Sequence, residues 1–457
     1  MSITASTAAA STVPASRDLL ESAAMLADRG PFDRYLVYER PGSRFDYAAG
    51  AIAELTVFPG RVETIQGRRR TSAEWQGDPL PLVSRMLAEL PVREHGFYGW
   101  AAFELGYALA GQQPAILRFP AQPLLRLVVP QARVRLGPDR AEVSGDDPAH
   151  VDQIRTILAD AAAVPNPITR VTVDIDEGGQ IYQQAVASAI ADIYTGRLRK
   201  VVLSRTVEVS DAIDLAATYV AARRANGSAR SFLLRLDDLE AAGVSPETVV
   251  VVGSDRTVST QPLAGTRART GQKWADRKLR EELLNDPKEI YEHAISVQIA
   301  WQEMSGICEP DTVRVEQFMT VAERGSVQHL ASSLTGRLAE TDAGPWAALR
   351  TLFPGVTASG VPKPAAYELI REHESSPRGL YGGAVIISDG VGDLDAALAL
   401  RTVFRSGGRT WLRAGAGIVR DSDPYREFEE TCHKLRSVSR HLVAQMSPTA
   451  GQAGEPA

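Results

Sequence analysis

Apolar positions recur every three to four residues in several stretches of the chain. Val151, Ile154, Ile157, Leu158 and Ala161 do so, as do Tyr182, Val186, Ala189, Ile190 and Ile193 before Gly196 ends the run. Both stretches predict amphipathic helices. The β-branched runs KVVLSRTVEV, from residue 200, and TVVVVG, at 248–253, predict strands. LDAALALRTVFRSGGRTWLRAGAG, at 394–417, predicts two antiparallel strands closing on Gly407 and Gly408. Hairpins interleaved with long helices indicate an α+β class with mainly antiparallel sheet. Turn-rich sequence between 140 and 180 marks a soft division between an N-terminal part, 17–177, and a core, 178–445. The flanking stretches 1–16 and 446–457 lack periodicity and read as disordered tails.

Two helical stretches carry the same acidic motif. In KEIYEHAISVQIAWQEM, 288–304, Ile290, Ala294, Val297, Trp301 and Met304 form one apolar stripe, with Glu289 and Glu292 beside it. In the late helix Phe428, Cys432, Leu435, Leu442 and Met446 form the stripe, flanked by Glu427, Glu430 and Lys434. If both stripes pack on one core, the acid pairs converge, and each like-charge contact near 4 Å costs on the order of 1–4 kcal/mol. A hard cation such as Mg²⁺, held by oxygen ligands alone, relieves that repulsion. Two solvated helix flanks are the plain alternative.

The Gly-x-Gly of RAGAGIVRDSDP is not a dinucleotide fingerprint. Arg420 stands where the third glycine is required, and the following turn delays the helix to about Pro424. What remains at Gly415 and Gly417 is either a strand end open to an anion or a tight turn. Lys200 and Glu247 open two apolar strands, where each is either an edge charge in water or a buried group whose pKa is shifted toward proton transfer. Strict alternation places Arg401 with the small Ala397 and Ala399, leaving room for a carboxylate beside its guanidinium. His329 and Tyr381 lie in turn-flanked runs.

A net charge of −6 with scattered basic residues gives no footprint for nucleic acid. The first residues lack the greasy core of a signal peptide, and no apolar stretch approaches a membrane span. Cys308 and Cys432 have neither disulfide-scaffold nor zinc spacing, which fits a reducing cytoplasm. The expected ligand is small.

QPLAGTR at 261–267, KEIYEH at 288–293, ERGSVQHL at 323–330, TASGVPK at 357–363, RGLYGGAV at 378–385, LRAGAGIV at 412–419 and REFEETCHKL at 426–435 together resemble the chorismate-utilising enzymes. Within that family the likeness is strongest to the salicylate synthases of mycobactin-type siderophore assembly. The resemblance implies one large layered α/β domain with antiparallel sheets and peripheral helices, of the anthranilate synthase component I type. It also implies a cytoplasmic, monomeric, Mg²⁺-dependent enzyme that acts on chorismate without an amidotransferase subunit. By this likeness Lys200 is the base that activates water, Glu247 the acid at the departing hydroxyl, and Glu292 and Glu430 the metal ligands, with Glu289 and Glu427 beside them. Gly265, Thr266 and Gly415 match the ring-carboxylate site, and Tyr381, Arg401 and Gly417 the enolpyruvyl-carboxylate site. His329, Thr357 and Lys434 match positions near the reaction centre. Ala264 stands where aminodeoxychorismate synthases carry a nucleophilic lysine, and Gln261 departs from a glutamate common in the mycobacterial branch. The alternatives are an isochorismate synthase and, further off, an anthranilate synthase component I.

Overall fold

The computed structural model describes residues 9–14, 18–112, 122–160, 169–325, 327–340, 344–390 and 392–445. Among these residues the strands form an eleven-stranded and a twelve-stranded sheet, with every strand pair of both sheets antiparallel. The inner faces meet in a core built from Leu36, Tyr38, Phe232, Leu234 and Phe404 of one sheet and Tyr98, Trp100, Val385 and Ile387 of the other. Helices cover both outer faces and bury two further apolar clusters. The result is a helix, sheet, sheet, helix layering in which each sheet face finds an apolar partner. No helix among the described residues is long and apolar enough to cross a membrane.

The predicted strands appear as Lys200–Glu208 and Thr248–Val252, and the helices as Pro148–Ala159 and Gly179–Tyr194. Ala161 and Met446 lie outside the described residues, as does the stretch 446–457. The soft division near 140–180 does not separate the sheets. Tyr35–Arg40 pairs with Arg230–Leu236, and Phe97–Ala101 pairs with Ala384–Ser388, so early and late segments share each sheet. Residues 9–14, expected within a disordered tail, instead form an edge strand on Arg140–Gly145, a run of small and β-branched residues that fits a sheet edge.

The hairpin of Thr402–Ser406 and Arg409–Ile418 closes on Gly407 and Gly408, both at positive φ, as a tight turn of glycines permits. Its upstream arm differs from expectation. Leu394–Leu398 belongs to the twelve-stranded sheet and Thr402–Ser406 to the eleven-stranded one. The chain crosses between sheets at Arg401, whose φ of 49° ends the strict alternation predicted through it.

Candidate active site

The cavity lies where the two sheets diverge beneath a pair of helices. Helix Pro287–Ser305 starts at Asp286, whose carboxylate accepts from the backbone N–H of Lys288 at 3.0 Å, with Pro287 at the first helical position. Helix Pro424–Ser439 repeats the device with Asp423, which accepts from the N–H of Arg426 at 2.9 Å. The Arg426 guanidinium donates to Asp286 at 3.1 Å, tying the two helix starts together. The motifs Glu289/Glu292 and Glu427/Glu430 thus come together near the two helix starts, with Glu289 and Glu427 in the first turns, where the helix dipoles favour negative charge.

The acid pairs converge, and lysines sit among them. Lys288 Nζ lies 3.0 Å from Glu292, 3.2 Å from Glu427 and 3.6 Å from Glu289. Lys434 Nζ lies 2.7 Å from Glu430, and Lys200 Nζ lies 3.1 Å from Glu292. Burial pushes Glu289 and Glu427 up to about 7, although Lys288 pulls both the other way. Burial acts likewise on Glu292 but is outweighed by Lys200 and Lys288, which hold it down. For Glu430 the opposing cations are Lys434 and Lys288, and its carboxyl is lowered.

The apolar stripe predicted beside these acids is not the buried face of the first helix. Trp301 is 46% exposed and Ile290 and Ala294 are half-buried, while Glu289, Glu292, His293 and Ser296 are buried with Val297, Ala300 and Met304. Paired polar groups displaced the periodic ones from the interior. In the second helix Phe428, Cys432 and Leu435 are buried as expected, whereas Leu442 follows the helix end at Ser439.

A cavity of about 790 Å³ opens beside these helices. Among the residues singled out in the sequence, Glu247, Gly265, Thr266, His329, Thr357 and Tyr381 line it. Arg401, Gly415, Gly417, Lys434, Glu292 and Glu430 line it too. Lys200, Glu289 and Glu427 stand one layer behind. Lys200 is only 1% exposed, donating to Ser296 Oγ at 3.0 Å as well as pairing with Glu292.

Glu247 is held by three contacts: the Leu263 N–H donates to it at 2.8 Å, Thr357 Oγ1 donates to its other oxygen, and the cations Lys200 and Lys434 act at longer range. Burial outweighs them and pushes its carboxyl up to about 7, so that protonated and ionised forms are both populated near neutrality. His329 Nδ1 lies 2.8 Å from the Gly265 carbonyl and Nε2 lies 2.5 Å from Arg401 Nη2. With Nδ1 protonated the imidazole donates to Gly265 and accepts from Arg401, and burial together with Arg401 keeps it neutral. His329 therefore aims the guanidinium. Burial and the like charge of Arg324 bring Arg401 down to about 10.

The two glycines sit within a paired strand rather than at an open strand end, opposite Ser204 and Val202 of Lys200–Glu208. The anion that approaches Gly417 is the protein's own: a Cβ there would lie 1.9 Å from Glu292 Oε1. At Gly415 a Cβ would meet the Leu203 carbonyl at 2.6 Å, and Lys434 Nζ donates to the Gly415 carbonyl at 2.8 Å. At Gly265, φ +65°, an added Cβ would lie 2.9 Å from Glu289 Oε2.

Lys288, Ser296 and Arg413 escaped the sequence reading. Lys288 was within reach, because a lysine four residues before Glu292 on one helix face is an ion-pair signal. Among the described residues no group of three or more His, Cys, Asp or Glu side chains is already arranged to hold a metal ion. By donor type the four carboxylates nevertheless fit a hard divalent cation, and Glu289 Oε2 is buried without a hydrogen-bond partner.

Residues 33–440 match the family described as chorismate binding enzyme. The chain is 42% identical over 425 residues to a salicylate synthase from Mycolicibacterium paratuberculosis, covering 93% of each. It is 31% identical over 449 residues to an anthranilate synthase component 1 from Mycolicibacterium smegmatis, covering 89% of this chain and 84% of that one. In three dimensions it resembles the menaquinone-specific isochorismate synthase of Escherichia coli, with a TM-score of 0.71 and 22% identity over 95% of this chain and 94% of the other. That last likeness concerns architecture, while the match over most of the chain and the identity to full-length relatives define kinship: the chain belongs to the chorismate-binding enzyme family.

Proposed function

We propose that this chain is a salicylate synthase, turning chorismate through isochorismate into salicylate and pyruvate with Mg²⁺ as cofactor. The observation that carries the reading is the pairing of a buried acid and a buried lysine about one cavity. Glu247 is partly protonated at neutral pH and lines the cavity, and Lys200, at the start of strand Lys200–Glu208, stands behind Glu292, which lines the same cavity. In the first step Lys200, acting as the neutral amine once it has given up its ammonium proton, takes a proton from water as the water oxygen bonds to C2. Glu247 gives its proton to the C4 hydroxyl, which leaves as water. In the second step hydrogen moves from C2 to the enolpyruvyl methylene as the C3–O bond breaks, releasing pyruvate and leaving salicylate. This step needs a constrained substrate conformation and no further base.

Arg401, aimed by His329, and Lys434 supply the positive charge that a dicarboxylate substrate requires. Glu292 and Glu430 would hold Mg²⁺, with Glu289 and Glu427 beside them. When bound, the ion supplies the positive charge that lets these acids and the substrate's ring carboxylate share one site. The small Ala264 lines the cavity, which disfavours amination through a lysine at that position. The 42% identity to a salicylate synthase across nearly the whole chain supports this product over the alternatives.

Product chromatography after incubation with chorismate and Mg²⁺, without ammonia, tests the reading. Salicylate and pyruvate are expected. Isochorismate alone identifies an isochorismate synthase, anthranilate formed only with ammonia identifies the amination branch, and unchanged chorismate defeats the enzymatic reading. Lys200→Ala is expected to abolish isochorismate formation while chorismate still binds.

A further inference from the structure

A second, smaller cavity, with room for about one ordered water, lies behind the first. Glu247 and Thr357 line both, and the hydrogen bond from Thr357 Oγ1 to Glu247 forms the partition between them. Its inner end is walled by Ser296, which is fully buried. Ser296 Oγ accepts from Lys200 Nζ at 3.0 Å and donates to the Glu292 carbonyl at 3.0 Å. Its outer end is walled by Gln261 and Glu303, both half-buried, and Glu303 is held at the surface by Lys363 at 2.7 Å. The cavity therefore joins polar groups at Gln261 and Glu303 to the acid Glu247 and to Ser296, the hydrogen-bond partner of the base Lys200.

The placement answers a difficulty in the proposed reaction. Lys200 does not line the main cavity, and a substrate filling that cavity expels bulk water from it. The water that attacks C2 must still reach Lys200, and the water formed from the C4 hydroxyl must leave Glu247. The smaller cavity touches Glu247 directly and Lys200 through Ser296, whose hydroxyl holds the Lys200 ammonium, and its hydroxyl, carboxyl and amide groups supply the two to four partners an ordered water requires.

We infer that this smaller cavity is the water chamber of the reaction: it delivers the attacking water to Lys200 past Ser296 and receives the water released at Glu247. One water enters and one leaves, so the step remains an isomerisation with oxygen exchanged through the chamber. The inference rests on the proposed chorismate-to-salicylate reading. It also makes a distinction within that reading, because water is consumed and released in forming isochorismate but takes no part in eliminating pyruvate.

Ala300 faces the chamber one helical turn beyond Ser296 and touches none of the groups assigned to substrate. Ala300→Leu fills the chamber, and Ala300→Val fills it partly. Each variant is assayed with chorismate and, separately, with isochorismate as substrate. The expected result is at least a ~10-fold loss of chorismate turnover in Ala300→Leu, a smaller loss in Ala300→Val, and isochorismate conversion to salicylate within about 2-fold of wild type. Retained isochorismate conversion also certifies the fold. If Ala300→Leu does not fold, the ratio of the two turnovers in Ala300→Val decides. Undiminished chorismate turnover, or equal losses on both substrates in a folded variant, overturns the chamber. Failure of the functional reading is recognised separately, because wild-type protein then makes no salicylate from either substrate.

Discussion

Two buried charge clusters lie within this site and are built in opposite ways. In the first, Glu374 is clamped by guanidinium groups: Arg378 donates at 2.6 and 2.9 Å, Arg413 at 2.5 Å, and the N–H and hydroxyl of Ser204 at 2.7 and 2.9 Å. Burial would raise its carboxyl, but Arg378 and Arg413 outweigh burial and lower it. In the second, four glutamates face Lys288, Lys200 and Lys434, two of the acids are pushed up to about 7, and one oxygen of Glu289 has no hydrogen bond. Planar guanidinium forks saturate a carboxylate and fix it, whereas an ammonium is a mobile point charge. The arginine cluster is framework. The lysine cluster leaves its acids less saturated, which accords with the proposal that they hold Mg²⁺ beside a carboxylate substrate.

The sharpest way to break this comparison is to remove one acid from each cluster. Glu374→Ala leaves Arg378 and Arg413 buried without a counter-charge and is expected to cost about 3–5 kcal/mol in urea unfolding. Glu289→Gln removes one of several crowded like charges and is expected to change the stability of metal-free protein by less than about 1 kcal/mol. Equal costs would show both clusters to be framework.

The next effect concerns the acid shared by both cavities. Glu247→Gln is expected to lower isochorismate formation about 10²–10⁴-fold. In the unaltered protein the group is protonated below its raised value of about 7 and ionised above it, so turnover is expected to fall as pH rises through 7. The same shift works against the fold in that window: with its folded value raised, the stability this group contributes is present at acid pH and is lost as pH rises through 7. A pH–rate profile with no decline on the alkaline side would remove Glu247 from its role.

A smaller change is expected at Arg401. Arg401→Lys keeps the charge but loses the fork aimed by His329, and KM for chorismate is expected to rise about 10-fold or more with a lesser change in kcat. A reduced kcat at constant KM would place Arg401 in the chemistry rather than in binding.

Much of this site was legible in the chain because its residues sit at the ends of strongly patterned elements. Lys200 and Glu247 open apolar strands, and Glu427 and Glu430 follow a proline and a capping aspartate. What periodicity missed is what only distant pairing determines. The buried face of helix Pro287–Ser305 holds Glu289, Glu292, His293 and Ser296, which count as polar in any pattern and are buried only because Lys288, Lys200 and Ser332 meet them there. Arg401 reads as a strand residue until its positive φ shows the chain changing sheets. Glu374 and Arg413 are 39 positions apart, and no local signal joins them.

Chelation tests the lysine cluster as a magnesium seat most directly. Protein stripped with EDTA is expected to make no salicylate from chorismate, and activity is expected to return on titration with Mg²⁺, with Glu292→Gln and Glu430→Gln unable to recover it. Turnover that persists in excess EDTA would contradict the account.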